Sequence, residues 1–188
     1  MSVIPFDEFQ APDLTEHPLQ SRQVFQGCLL DVREDQVRLP NGAQAQREYI
    51  IHNGAVAVIP FLDERTVLLE YQFRYPNHAH YFEIPAGKLE RDEEPLKAAQ
   101  RELQEETGFV ASEWRELATL HLCIAYSTER IVFYAAQDLT FTQHQRDPEE
   151  FLETLAVPLS QAYEWIEQGR INDAKTVAGL LWWKAFHS

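Results

Sequence analysis

The chain has little cysteine, few basic side chains and no long apolar segment. Cys28 and Cys123 are its only cysteines among 188 residues, too few for a disulfide framework. Its apolar runs, of which Ala55 to Leu62 is typical, fall well short of the roughly 20 residues that span a bilayer. The first ten residues lack the basic start and apolar stretch of a secretory signal. We therefore expect a cytoplasmic protein that spans no membrane.

Acidic side chains outnumber basic ones by 30 to 16, which leaves a formal net charge of −14 at pH 7. A surface of this sign repels the phosphates of nucleic acids and of anionic lipids, so neither is expected as a partner. If the substrate is itself an anion, a divalent cation is the natural group to offset the field of the protein.

The chain divides into two regions by pattern. Residues 1 to about 22 are polar and show no periodicity, so we expect a mobile or loosely docked arm. Residues 24–39 and 44–52 have strand-like patterns on either side of a Pro-Asn-Gly turn, which predicts a hairpin. We assign residues 1–52 to an N-terminal β module and residues 53–188 to a second domain.

The second domain alternates apolar runs with predicted helices. The runs that begin at Ala55 and Thr66 predict buried strands, and residues 95–107, which start with proline and precede glycine, predict a helix. Further strands are expected before two C-terminal helices, which Ser160 and Asp173 could cap. This order favours mixed β-sheets with helices packed outside them.

Acidic residues crowd one side of the helix predicted over residues 95–107. At about 100° per residue, Glu102 and Glu106 are one turn apart beside an apolar stripe, and Glu105 lies within one turn of Glu102. Like charges at this spacing destabilise a helix by a few tenths of a kcal/mol per pair, and a bound cation reverses that effect. Carboxylate oxygens suit Mg²⁺ or Mn²⁺ better than zinc.

The residues around these carboxylates decide between a metal site and a solvated helix face. Acidic runs on helices are more often solvated faces. Here the turn at Gly87 would let the Ala86 carbonyl approach the same ion, and Arg101 could hold Glu105 in place. Together with Glu93, these neighbours favour a site for a hard divalent cation.

The segment of residues 87–109 matches the Nudix box, G-x5-E-x7-R-E-U-x-E-E-x-G-U, in which U is aliphatic or bulky apolar. Every charged and glycine position agrees; the matching residues are Gly87, Glu93, Arg101, Glu102, Leu103, Glu105, Glu106, Gly108 and Phe109. On this motif the chain is identified as a member of the Nudix family. The resemblance implies an α/β fold, an α/β/α sandwich with a mixed β-sheet, here preceded by the small antiparallel β module. It also implies a hydrolase that acts on a nucleoside diphosphate linked to another moiety.

Segments outside the box resemble the ADP-ribose pyrophosphatase branch of this family. They are the predicted hairpin, YQFRYP before the box, and YSTER and INDAKTVAGLLWW after it. This resemblance implies Mg²⁺-dependent hydrolysis of ADP-ribose to AMP and ribose 5-phosphate, with Mn²⁺ as a possible substitute. It also implies a homodimer that exchanges N-terminal strands. One departure, CIAYS where many members have Ser-Pro-Gly, leaves GDP-mannose or another nucleotide sugar open.

The resemblance also implies roles for residues of the box. The Ala86 carbonyl, Glu102 and Glu106 would bind metal directly. Glu105 would be a further ligand or would position the attacking water, and Arg101 would hold the loop and the helix together. A ligand sensor without catalysis is the competing class, but such sensors often lose box carboxylates, and this box is intact.

Residues outside the box are assigned to the substrate and to the catalytic base. Arg74 matches a substrate contact, although a solvated strand-end arginine is the alternative. Glu83 could bind a ribose or the terminal sugar, or merely cap a strand, and Glu129 could approach the distal sugar or lie on a plain surface loop. The base in this branch usually comes from an acidic loop after the box, which indicates Glu150 or Glu149, with Glu150 favoured and Glu153 as the next candidate.

Overall fold

The computed structural model describes residue 7, residues 9–143 and residues 151–187. The chain forms two compact units. One contains the N-terminal residues up to Ile51 together with residues 125–127, and the other contains residues 52–124 and 128–188.

The first unit is a three-stranded antiparallel sheet with the strand order β1-β2-β3. Its strands are β1 (His17–Gln26), β2 (Asp31–Arg38) and β3 (Gln44–Ile51). Strands β2 and β3 form the predicted hairpin, in register from Asp31 opposite Ile51 to Arg38 opposite Gln44.

Two expectations for this region are wrong. Residues predicted to belong to a polar arm form most of β1. The prediction missed this strand because every one of its residues is exposed, so its sequence shows no alternation of apolar and polar side chains. The strand predicted over residues 24–39 is interrupted, since a turn in which the Gly27 amide donates to the Leu30 carbonyl at 2.8 Å separates β1 from β2.

The second unit is built on one mixed sheet, as predicted, and the structure gives its strand order as β10-β5-β4-β9-β8. Strand β6 pairs with β5 and β7 pairs with β4. The pair of β4 and β9 is parallel, and the other strand pairs of this sheet are antiparallel. The strands are β4 (Ala55–Asp63), β5 (Thr66–Arg74), β6 (Ala79–Glu83), β7 (Ala86–Lys88), β8 (Phe109–Leu120), β9 (Ile131–Phe141) and β10 (Leu152–Pro158). The helices are α1 (Pro95–Thr107), α2 (Leu159–Glu167) and α3 (Ala174–Phe186).

Two apolar clusters lie on opposite faces of this sheet and give three layers. Because side chains alternate along a strand, Val56 of β4 packs with Leu103 of α1, whereas Ile59 faces the cluster that includes Leu180 of α3. The α/β/α sandwich predicted from the family resemblance is therefore confirmed.

The helix ends follow local signals with one exception. Helix α1 begins at Pro95 and ends before Gly108, whose φ of +78° is a left-handed conformation that glycine adopts without strain. Asp173 caps α3 as predicted. The predicted cap at Ser160 is wrong, since α2 begins one residue earlier and the Leu159 amide donates to the Arg65 carbonyl at 2.7 Å. Within the described ranges, no helix has the length and apolar character to cross a bilayer.

Candidate active site

The short strand β7 and the middle of α1 meet side by side. The Ala86 amide donates to Oε2 of Glu106 at 3.1 Å, which ties the helix to the start of the strand. A Cβ atom at Gly87 would overlap the carboxyl group of Glu102, so only glycine leaves space for that carboxylate. Glu102 and Glu106 are both buried, and their one-turn spacing directs both toward β7.

Arg101 fastens the carboxylates of α1 to the preceding loop. Its Nη1 atom lies 2.8 Å from Glu102 Oε1 and 3.0 Å from Glu105 Oε2, while its Nε and Nη2 atoms each lie 3.1 Å from a Glu93 oxygen. The hydrogen bonds to Glu93 are the main cause that raises the pKa of Arg101, and they lower the pKa of Glu93 in turn. Glu93 also accepts from the Glu90 amide at 2.9 Å, which closes the loop onto the helix.

The donors at this place fit a hard divalent cation. The carbonyl of Ala86 and the carboxylates of Glu102 and Glu106 are oxygen ligands of the kind that Mg²⁺ and Mn²⁺ prefer. The Glu102 carboxyl group occupies the space that a Cβ atom at residue 87 would need, so the glycine lets this oxygen ligand lie against the backbone. Among the described residues, no group of three or more His, Cys, Asp or Glu side chains is placed to hold a metal ion.

Glu70, a residue that sequence reasoning missed, lies fully buried in β5. Neither of its carboxyl oxygens forms a hydrogen bond of normal geometry with any residue that the structure describes. Burial raises its pKa to about 8, the charge of Glu83 adds to that rise, and an interaction with the nearby Glu106 side chain partly opposes it. The carboxyl group is therefore mainly protonated at pH 7. The available signal was a single acidic residue inside the apolar run TVLLEYQF.

A second set of charged side chains joins the ends of β5, β6 and α3. Arg74 binds Glu83 through two hydrogen bonds, of 2.8 Å from Nε and 2.9 Å from Nη2. Lys175 forms an ion pair with the same carboxylate and a second one, of 2.8 Å, with Asp173. Burial alone would raise the pKa of Glu83, but the hydrogen bonds and charges of Arg74 and Lys175 hold it below its usual value.

The two sets of charges are neighbours. The hydrogen bond to Glu83 is the main cause that raises the pKa of Arg74, and the charges of Glu106 and Asp173 add to it. Asp173 also accepts from the Thr176 amide at 3.0 Å, and the Thr176 hydroxyl accepts from the Ile84 amide at 2.9 Å. The start of α3 therefore holds Ile84, in the link between β6 and Ala86.

The remaining predicted site residues are Glu129, Glu149 and Glu150. Glu129 faces His52, with 3.8 Å between its Oε1 atom and the imidazole Nε2 atom. Glu149 and Glu150, the candidate bases, are outside the described residues. From the sequence, Lys175 received no role and Asp173 only that of a helix cap, although both belong to the INDAKTVAGLLWW segment.

Two family models match the chain. Residues 51–180 match the NUDIX domain, and residues 16–50 match the nucleoside diphosphate sugar hydrolase N-terminal domain. The chain belongs to the Nudix family. It is a Nudix pyrophosphohydrolase, and its acidic helix face against β7 is the Nudix box of residues 87–109.

Relatives extend this similarity over most of the chain. An ADP-ribose pyrophosphatase of Bacillus subtilis (strain 168) is 37% identical over 169 residues, which cover 89% of this chain and 91% of the relative. A GDP-mannose pyrophosphatase of Escherichia coli O139:H28 is 33% identical over 147 residues, which cover 72% of this chain and 75% of the relative. The crystal structure of an ADP compounds hydrolase superposes with a TM-score of 0.84 at 23% identity, covers 94% of this chain and 96% of its own, and shows the same fold.

Proposed function

We propose that this Nudix hydrolase splits the pyrophosphate bond of ADP-ribose, giving AMP and ribose 5-phosphate, with Mg²⁺ as its cofactor and Mn²⁺ as a substitute. The observation that carries this proposal is the meeting of Glu102 and Glu106 with the Ala86–Gly87 turn. Buried carboxylates, a backbone oxygen and an arginine beside them form a place for a cation and a diphosphate.

The cation would be held by the Ala86 carbonyl and by Glu102 and Glu106. When bound, such an ion neutralises phosphate oxygens and lowers the pKa of water. Arg101 holds Glu105 at 3.0 Å, so that this carboxylate can orient the water that attacks phosphorus. The base that takes the proton from water is assigned to Glu150, with Glu149 as the alternative.

Arg74 is the proposed phosphate-binding group. Glu83 uses its Nε and Nη2 atoms, which leaves Nη1 without a hydrogen-bond partner among the described residues. A guanidinium held by two hydrogen bonds has little freedom left to lose when it binds a phosphate oxygen. Arg74 is half-exposed, so its Nη1 atom can reach a ligand.

Similarity to an ADP-ribose pyrophosphatase over most of both chains supports ADP-ribose as the substrate. Similarity to a GDP-mannose pyrophosphatase supports GDP-mannose as the second candidate. A panel of nucleoside diphosphate derivatives, incubated with Mg²⁺ and separated by chromatography, decides between them. We expect AMP and ribose 5-phosphate from ADP-ribose, and no products after addition of EDTA. Faster hydrolysis of GDP-mannose would overturn the substrate assignment.

We also propose that the protein is a homodimer. All ten residues of β1 are exposed, and Val24 and Phe25 are each about half exposed, which leaves apolar side chains on a small sheet. Light scattering at micromolar concentration should give about twice the chain mass of 21.9 kDa. A monomeric mass would contradict this assignment.

A further inference from the structure

Glu70 projects from β5 toward the layer that contains α1. Leu69, the residue before it, packs into the cluster that includes Leu180 of α3. Side chains alternate along a strand, so the Glu70 carboxyl group lies on the opposite face, which α1 covers. On the two edges of β5 this residue pairs with Glu83 of β6 and with Thr154 of β10. The backbone that carries the carboxyl group is therefore fixed from both sides.

The Glu106 side chain is a neighbour of the Glu70 carboxyl group in that layer. Of the charged groups that act on Glu70, Glu106 does so through hydrogen bonding and Glu83 through its charge. Glu70 and Glu106 are both buried, so their carboxyl groups meet away from bulk water. Because β5 and α1 already place the two groups side by side, a hydrogen bond of normal geometry between them needs only an adjustment of the two side chains.

A hydrogen bond is the favourable form of this contact. Two carboxyl groups that meet away from water cannot both carry a charge without a large cost in free energy. A proton on one of them replaces the repulsion by an O–H···O bond. Glu106 is the group assigned to the cation, so it is the charged acceptor and Glu70 is the donor. Side chains that bind metal ions are commonly oriented by such a hydrogen bond to a group behind them.

A bond from Glu70 would complete the fixation of Glu106. The Ala86 amide already donates to Oε2 of Glu106 at 3.1 Å. One hydrogen bond still lets a carboxylate turn about the contact, and a second bond from the opposite element fixes its plane. A glutamate side chain loses rotational freedom when it binds a cation, and a side chain that is already fixed has less freedom left to lose.

Packing alone gives no reason for an acid at this position. Leu68, two residues earlier on the same face of β5, is buried and apolar. A methionine in place of Glu70 would fill similar space without burying a polar group. The contact with Glu106 is the feature that an apolar residue cannot supply.

We propose that Glu70 is a positioning residue of the cation site: its carboxyl group donates a hydrogen bond to Glu106 and holds this ligand against the Ala86–Gly87 turn. The inference rests on the proposed function, because it needs a divalent cation at that turn. It adds a residue of β5 to a site whose other proposed cation ligands come from α1 and from the start of β7.

Two substitutions of Glu70 separate positioning from packing. Glu70→Gln keeps the size of the side chain and a hydrogen-bond donor, whereas Glu70→Met keeps a similar length without any donor. Binding of Mn²⁺ to the substrate-free protein is measured by electron paramagnetic resonance. We expect Glu70→Met to raise the Kd for Mn²⁺ at least about tenfold, and Glu70→Gln to change it by less than about twofold. Glu113→Met, on an exposed position of β8, is the control and should bind as the wild type does.

Hydrogen exchange of the Ala86 amide, followed by NMR in EDTA, reports the position of Glu106 without any cation. The Val58 amide, which donates to the Pro85 carbonyl at 2.8 Å, is the internal reference next to the same turn. Relative to Val58, exchange at Ala86 should be about threefold to tenfold faster in Glu70→Met, the effect of one weakened hydrogen bond. It should change by less than about twofold in Glu70→Gln.

Equal weakening of Mn²⁺ binding by both substitutions would overturn the positioning role, because it would show that the charge of Glu70 binds the cation. Wild-type Mn²⁺ affinity in Glu70→Met would overturn it as well. A wild-type protein that binds no Mn²⁺ and hydrolyses no nucleoside diphosphate derivative would refute the proposed function and, with it, the role in cation binding. In that case the exchange at Ala86 still decides whether Glu70 holds Glu106, and equal exchange in both variants would show that it does not.

Discussion

Replacement of Glu70 by glutamine should make the pH dependence of stability visibly flatter. The carboxyl group is fully buried without a hydrogen-bond partner among the described residues, and its pKa rises from 4.5 to about 8 on folding. The folded chain thus keeps a proton that the unfolded chain releases as the pH rises through this range. Stability contributed by the neutral acid is complete below pH 4.5 and declines until the folded group ionises near pH 8.

The size of the effect follows from linkage. Each pH unit between 4.5 and 8 lowers the free energy of unfolding by about 1.4 kcal/mol, which amounts to about 5 kcal/mol over the whole range. Glutamine has nearly the same shape and does not titrate, so Glu70→Gln removes this slope. The variant should gain about 4 kcal/mol relative to the wild type between pH 5 and pH 8.

Urea unfolding of the metal-free protein in EDTA, followed by tryptophan fluorescence at pH 5, 6, 7 and 8, measures the difference. Trp165 and Trp183 pack against a buried cluster and report its loss. Glu113→Gln, which neutralises an exposed carboxylate of β8, is the matched control and should unfold in parallel with the wild type at every pH. Wild-type and Glu70→Gln curves that stay parallel within about 1 kcal/mol would refute the reasoning.

Three further substitutions test the site. Glu106→Gln should lower turnover at least about 100-fold with an unchanged circular dichroism spectrum, because it removes a charged metal ligand; Glu113→Gln is the control, and full activity of Glu106→Gln would contradict the ligand assignment. Gly87→Ala should lower activity, and it should lower the free energy of unfolding by about 1–3 kcal/mol, because the new Cβ atom overlaps the Glu102 carboxyl group. A normal melting temperature would argue against that overlap. Lys175→Met should destabilise the fold by about 1–3 kcal/mol in urea, since Asp173 loses its lysine partner and Glu83 keeps only Arg74, and no measurable change would disprove that role.

Local signals predicted the elements that local chemistry controls. Helix α1 has the predicted bounds because Pro95 restricts φ to a helical value and Gly108 permits the left-handed turn that ends the helix, and neither property depends on the rest of the chain. The cap by Asp173 is equally local, since its carboxylate accepts from an amide three residues later. The predictions failed where no local signal controls the structure. Every residue of β1 is exposed, so burial leaves no pattern in its sequence, and a contact with Arg65, 94 positions away, fixes the start of α2 at Leu159.

The box carboxylates could be proposed from spacing because Glu102 and Glu106 share one helix, where one turn sets their separation. Their contacts with β7 and with Arg101 depend on the tertiary structure. The same holds for Glu70, since a glutamate in an apolar run does not reveal whether its partner is water, a cation or nothing.

The amino-acid sequence by itself determined the helix with its carboxylates, the glycine beside them and the family to which the chain belongs. These features depend on residue types at short spacing, which the chain carries before it folds. Only the tertiary structure decided that Lys175 neutralises Glu83 from 92 positions away, that Arg74 keeps one guanidinium edge free, and that a pocket opens between them. Such pairs depend on how strands and helices pack, and packing is a property of the whole fold.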